Sequence, residues 1–309
     1  MPREREALDT LRRPAPQTYP DSMMAAPDAA ASARKNPFAN REFGLRVVSG
    51  LVLATIVVAA LVLGGWAFAV IWLAAGIVGA AEWIGMSRTA PRRALLAVVA
   101  GTLILAAACF EGDAPTLAVP AILALGAMLC LVVAEGGGGR LRALGALLGG
   151  AVIALVPVAL RDAPAIGILG PAWMFAVVWS TDVVAYFTGR TLGGPKLMPR
   201  VSPKKTWSGA LGGLAGAVAA GIGIVVLARA QGWSPLAGTS LVWVGLASAV
   251  ASILSQGGDL VESGLKRCYG VKDSGASIPG HGGVMDRLDG FFAVALLAGL
   301  YLILRRFAA

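Results

Sequence analysis

The run VVSGLVLATIVVAALVLGGWAFAVIWLAAGIVGAA, from Val47 to Ala81, decides the fold, because its 35 residues include no Asp, Glu, Lys or Arg. At ~20 apolar residues per bilayer crossing it supplies nearly two membrane spans. Similar runs recur through the 309 residues, of which 57% are hydrophobic and 14% charged, with a mean hydropathy of +0.75. Soluble domains carry ~25% charged residues, so a soluble globule is excluded. The chain reads as all-α: a polytopic integral membrane helical bundle. Its 41 Gly and 17 Pro show no collagen period and suit helices that pack through small residues.

The uncharged runs predict about nine transmembrane helices, near residues 44–63, 66–86, 94–110, 116–134, 143–160, 171–188, 209–228, 238–256 and 290–304. Residues 1–43 hold six Pro, many Ala and charges of both signs, without the apolar stretch of a signal peptide. They are expected to form a disordered cytoplasmic tail. Lys and Arg test the layout independently of hydropathy. The tail, counted with Arg46, and the loops after spans two, four, six and eight carry 22 of the 26. That bias predicts the N-terminus inside and the C-terminus outside.

The net charge of +9 is spread between spans and does not follow one soluble face, so the expected partners are anionic membrane lipids or an anionic substrate, and no nucleic acid. Cys109 and Cys130 lie in apolar runs and Cys268 in a charged loop, which predicts free thiols.

The inside loops after spans six and eight are the long ones. The first, GRTLGGPKLMPRVSPKKTWSG from Gly189 to Gly209, gathers Arg190, Lys196, Arg200, Lys204 and Lys205. The second, GGDLVESGLKRCYGVKDSGASIPGHGGVMDRLDG from Gly257 to Gly290, carries Asp259, Glu262, Asp273, Asp286 and Asp289 beside Lys266, Arg267, Lys272 and Arg287. Acids and bases mixed with glycine suit a polyphosphate and its metal: carboxylate oxygens hold hard cations, Lys and Arg neutralise phosphate, and Gly lets backbone N–H groups approach. The plain alternative is that inside loops are basic because of topology and their acids are solvated. That alternative is weaker for five acids crowded into one loop.

The segment SGLKRCYGVKDSGASIPGHGGVMDRLD, from Ser263 to Asp289, resembles the C-terminal signature of the phosphatidate cytidylyltransferases, also called CDP-diacylglycerol synthases. DVVAYFTGR from Asp182, KLMPRVSPKKTW from Lys196 and GDLVES from Gly258 resemble further segments of that family in the same order. The likeness covers roughly residues 170–290 within a membrane-embedded domain of 44–309. Ser208 departs from it, standing where the family commonly has Glu or Gln.

The resemblance implies transfer of a cytidylyl group from CTP to phosphatidate, with Mg²⁺ as cofactor in the form of one or two ions. It places Asp259 and Asp286 as metal ligands, with Asp289 as a further candidate. Asp286 or Asp289 could instead cap a helix beginning there. Lys204, Lys205, Lys266, Arg267 and Lys272 are candidate phosphate ligands, and Arg287 could contact pyrophosphate or pair with a carboxylate. Ser202 and Thr206 could bind phosphate, while SPKKT also reads as a turn before a helix N-terminus. Asp182 follows an uncharged run, where a carboxylate is expected to be functional or paired, or else to reach water at the membrane boundary. Glu82, near the end of span two, is left out of the site. The lone histidine, His281, is weighed between acid–base catalysis and phosphate binding or shaping of the turn with Gly282 and Gly283. Phosphatidate is a phosphate monoester with a second pKa of ~6, so a general base is not strictly required.

The expected setting is a bacterial inner membrane with the catalytic loops facing the cytoplasm; a homodimer is compatible with the sequence. Two alternatives stay open. A polyprenol kinase would use CTP but move its γ-phosphoryl group. A transporter would need a path of intramembrane acids, and no inverted half-repeat favours it.

Overall fold

In the computed structural model, the described residues are 41–164, 166–233, 238–278 and 282–308. The body of the expected tail and His281 lie outside them. The chain divides at Gly44, and the unit Leu45–Ala309 contains the helical bundle.

Nine helices run along the described chain: α1 Arg41–Leu63, α2 Gly65–Met86, α3 Arg92–Glu111, α4 Ala118–Val133, α5 Gly136–Asp162, α6 Leu169–Leu192, α7 Trp207–Ala230, α8 Leu241–Cys268 and α9 Met285–Ala308. Six of them, α2, α3, α5, α7, α8 and α9, are long and apolar enough to cross a membrane. The apolar stretches Val48–Leu63 of α1 and Ala118–Val133 of α4 are shorter, and α6 carries Asp182 and Arg190.

Three local expectations are corrected. The all-α reading misses an antiparallel hairpin, β1 Lys196–Met198 with β2 Ser202–Thr206, registered Lys196 to Thr206 and Met198 to Ser202. SPKKT is therefore a strand and not a turn, although Thr206 does cap the next helix, accepting a 3.1 Å hydrogen bond from Gly209 N. The eighth helix does not stop near residue 256. Asp259, Glu262, Ser263 and Lys266 recur at helical spacing on one face, so α8 continues through its charged end to Cys268. Lys266 and Arg267 in its last turn oppose the negative end of the helix dipole. The ninth helix starts at Met285, several residues before its apolar run, because a carboxylate from α2 accepts from the backbone N–H groups at its start.

Glycine sets how closely the site helices approach. Between α6 and α7, a Cβ on Gly209 would stand 2.9 Å from Ala185 O, and one on Gly213 would stand 2.8 Å from Thr181 O. Small residues thus bring these two backbones together. Between α8 and α9, a Cβ on Gly258 would stand 2.7 Å from Asp289 O. Gly258 and Gly290 therefore let the backbones that bear Asp259 and Asp289 approach closely.

The apolar interior has two parts. One surrounds Trp72, Phe175 and Phe291, and the other surrounds Ile84, Leu95, Leu103 and Leu147. At the far end of α1, Arg161 Nε of α5 donates to Leu61 O at 2.9 Å.

Candidate active site

A cavity of about 1040 Å³ opens where α1, α2, α6, the hairpin, α7, α8 and α9 meet. Its two ends differ in chemistry. One is built from Gly50, Leu53, Ala54 and Val57 of α1 with Trp72, Phe175, Trp179 and Phe291. The aromatic rings stack in series, Trp72 on Phe291 at 4.6 Å between centroids and Phe175 on Trp179 at 5.5 Å. The other end gathers Asp182, Lys204, Lys205, Thr206, Asp259, Asp286, Arg287 and Asp289. All eight are among the residues singled out in the sequence.

Ion pairs organise the polar end. Lys205 Nζ of β2 reaches Asp259 Oδ2 of α8 at 2.5 Å, and Ser263 Oγ donates to Asp259 Oδ1 at 3.3 Å. Lys266 Nζ bridges Glu262 Oε1 at 3.1 Å and Asp286 Oδ1 at 2.6 Å. The other oxygen of Asp286, Oδ2, accepts from Ser274 N at 2.9 Å, Gly283 N at 2.9 Å and Ser274 Oγ at 3.0 Å. Gly282 turns the chain here with φ +87, in the left-handed region that favours glycine, and pairs as a bridge with Ile278.

Asp182 and Asp289 form no ion pair among the described residues. Both line the cavity with Asp259, and Asp182 lies in the fields of Lys205 and Arg287 as well as that of Asp259. Carboxylates gathered in one cavity attract cations. Oxygen donors of this kind suit a hard divalent ion such as Mg²⁺. Among the described residues, however, no three His, Cys, Asp or Glu already stand together as a ligand set.

Other expected site residues lie outside the cavity lining. Ser202 begins β2, Arg267 and Lys272 are exposed, and Lys266 sits behind the wall, holding Asp286. Gly282 and Gly283 belong to the segment wrapped around Asp286. Ser208, at the departure from the family pattern, shares a hydrogen bond of 3.0 Å with Thr206 Oγ1 and donates to Gly193 O, which ties α7 to the hairpin's entry.

Sequence reasoning missed two residues. Gln256, one turn before Asp259, lines the cavity and is anchored through Nε2 to Ala210 O at 3.2 Å and Ser252 Oγ at 3.3 Å. Glu82 of α2 reaches the segment around Asp286 from across the bundle. The available signal for Glu82 was a single acid ending an apolar run of 35 residues.

Comparison with known proteins adds an independent line. Residues 44–305 match the model of the cytidylyltransferase family. The chain is similar to the phosphatidate cytidylyltransferase of Brucella abortus biovar 1 (strain 9-941), with 41% identity over 259 residues covering 83% of this chain and 92% of that protein. It is also similar to the phosphatidate cytidylyltransferase of Bacillus subtilis (strain 168), 42% identical over 134 residues, or 43% of this chain and 46% of the other.

Proposed function

The chain belongs to the cytidylyltransferase family, and from that premise we propose how it works: it transfers the cytidylyl group of CTP to phosphatidate, giving CDP-diacylglycerol and pyrophosphate for phospholipid synthesis. The observation that carries the reading is the cavity's division into an apolar aromatic end and a charged end. Phosphatidate has the same division, with acyl chains at one end and a phosphate at the other.

The ionised phosphate oxygen of phosphatidate bonds to the α-phosphorus of CTP, the bond from that phosphorus to the bridging oxygen breaks, and pyrophosphate leaves with the electron pair. Both reactants are polyanions, so the residues must offset charge before they can orient anything. Lys204, Lys205 and Arg287, all in the cavity wall, are suited to the phosphates. Thr206, which lines the cavity at the start of α7, adds a neutral hydroxyl beside them. The aromatic end holds the lipid portion and keeps water from it.

Mg²⁺ is the cofactor of this reading, with Asp259 and Asp286 as its principal ligands and Asp182 and Asp289 as additional oxygen donors. When bound, the ion neutralises charge on the leaving pyrophosphate.

All nine helices cross the membrane in this reading, with the N-terminus and the site on the cytoplasmic side of a bacterial inner membrane and the C-terminus outside. Support comes from two sources. Lys and Arg are segregated 22 to 4. The C-terminal end of α2 and the segment between α8 and α9 also meet, so these helices share one end as the alternation requires.

The test is purified protein with CTP, phosphatidate and Mg²⁺, assayed for both products. CDP-diacylglycerol and pyrophosphate are expected in equal amounts and are expected to vanish with a chelator. Formation of CDP in place of pyrophosphate would assign γ-phosphoryl transfer, and neither product from folded protein would remove the assignment.

A further inference from the structure

Glu82 stands near the C-terminal end of α2 and is 8% exposed. Its Oε1 accepts from Val284 N at 2.9 Å, and its Oε2 accepts from Met285 N and from Ser274 Oγ, each at 2.9 Å. Val284 and Met285 bring the backbone into α9, so a carboxylate from another helix caps the positive end of the helix that bears Asp286. Asp286 holds the same segment from the other side through Ser274 N and Gly283 N. The Ser274 hydroxyl lies between the two acids, 2.9 Å from Glu82 and 3.0 Å from Asp286, with one proton to donate.

The surrounding glycines independently mark the fit. A Cβ on Gly275 would stand 2.9 Å from Glu82 Oε1, and one on Gly283 would collide with Ser274 Oγ and stand 2.5 Å from Glu82 Oε2. Both positions leave room for this carboxylate.

We infer that Glu82 is a positioning residue for cytidylyl transfer, fixing Asp286 through Ser274 and the first turn of α9. The inference rests on the reading of this cavity as the cytidylyltransferase site. Replacing Glu82 with Gln would set an amide N–H₂ against backbone N–H groups, letting the first turn of α9 and Asp286 shift. Displacements of ~1 Å at a reacting centre cost about 100-fold in rate.

The experiment uses the full chain in detergent, with kcat, the KM for CTP and the Mg²⁺ activation midpoint measured for wild type, Glu82→Gln, Ser274→Ala and the double variant. A role in stability alone would lower the yield of folded protein and leave kcat per folded molecule intact. The expected result for Glu82→Gln is a kcat fall of about 100-fold in folded protein, with KM for CTP changed less than about threefold and the Mg²⁺ midpoint raised. Ser274→Ala should lose less, and the double variant should fall short of the product of the single effects because both act through Asp286.

A Glu82→Gln kcat within about threefold of wild type, or fully multiplicative effects, overturns the inference. If Glu82→Gln yields no folded protein, Ser274→Ala decides, and an unchanged kcat there overturns it as well. Wild-type protein without CDP-diacylglycerol formation would instead remove the assigned activity, which separates the two failures.

Discussion

Lys205 Nζ lies 2.5 Å from Asp259 Oδ2, an ion pair that fastens the hairpin to α8 at the cavity wall. Each partner is exposed by somewhat more than a quarter, so the pair contributes little to stability compared with a dry one. Its value is geometric. It keeps a cation and a carboxylate together on the cavity wall.

Lys205→Met and Asp259→Asn should therefore each reduce kcat/KM by at least about 100-fold, equivalent to ~2.7 kcal/mol of transition-state stabilisation. Thermal stability in detergent should change little. Pyrophosphate release measures the first and a melting curve the second. Near-normal turnover of either variant at limiting Mg²⁺ would move the site elsewhere.

Gly283→Ala should disturb the segment around Asp286, because the added methyl group meets Ser274 and Glu82. A fall of more than about tenfold in turnover is expected, with membrane insertion unchanged. Gly223→Ala is the control, since a Cβ there meets nothing within 4 Å. That helical glycine sits in α7, and its replacement should leave activity intact and stability unchanged or slightly higher.

A reporter fused after Arg306 should lie on the side of the membrane away from the cytoplasm. A cysteine placed near Lys204 in an otherwise cysteine-free chain should react only with reagents that reach the cytoplasm. Labelling of both from the same side would mean one helix fewer or more crosses the membrane.

The wild-type rate should rise with pH through ~6 as phosphatidate loses its second proton and becomes the better nucleophile. His281→Gln should retain that rise and lose less activity than Asp286→Asn. Since an unperturbed imidazole titrates at ~6.5, only the variant's profile separates enzyme from substrate. A flattened limb in His281→Gln would identify the imidazole as a base.

Hydropathy located the helices because a helix that crosses a membrane must cover ~30 Å of hydrocarbon with apolar residues, a demand visible in any window of the right length. It misplaced the end of α8 because Asp259 and Lys266 are offset by partners from β2 and α9, Lys205 and Asp286, and no local average contains those partners. The motif residues of the cavity's polar wall were legible as charges beside glycine. Glu82 was not, since its partners Val284 and Met285 lie 202 and 203 residues away in the chain. The hairpin escaped notice for a similar reason: three residues pair with five, and register alone distinguishes them from a loop.

The link between Glu82 and α9 also imposes an order on biosynthesis. Chains emerge at ~5–20 residues per second, so Glu82 is made about 10–40 s before the backbone N–H groups that it will accept from. A carboxylate without partners cannot wait in hydrocarbon, and α2 must keep its end at the aqueous surface throughout that interval. Only the arrival of α9 releases Glu82 from water, so the site matures after α1 to α8 are made, and a chain truncated before Met285 would insert those helices without ever assembling the site.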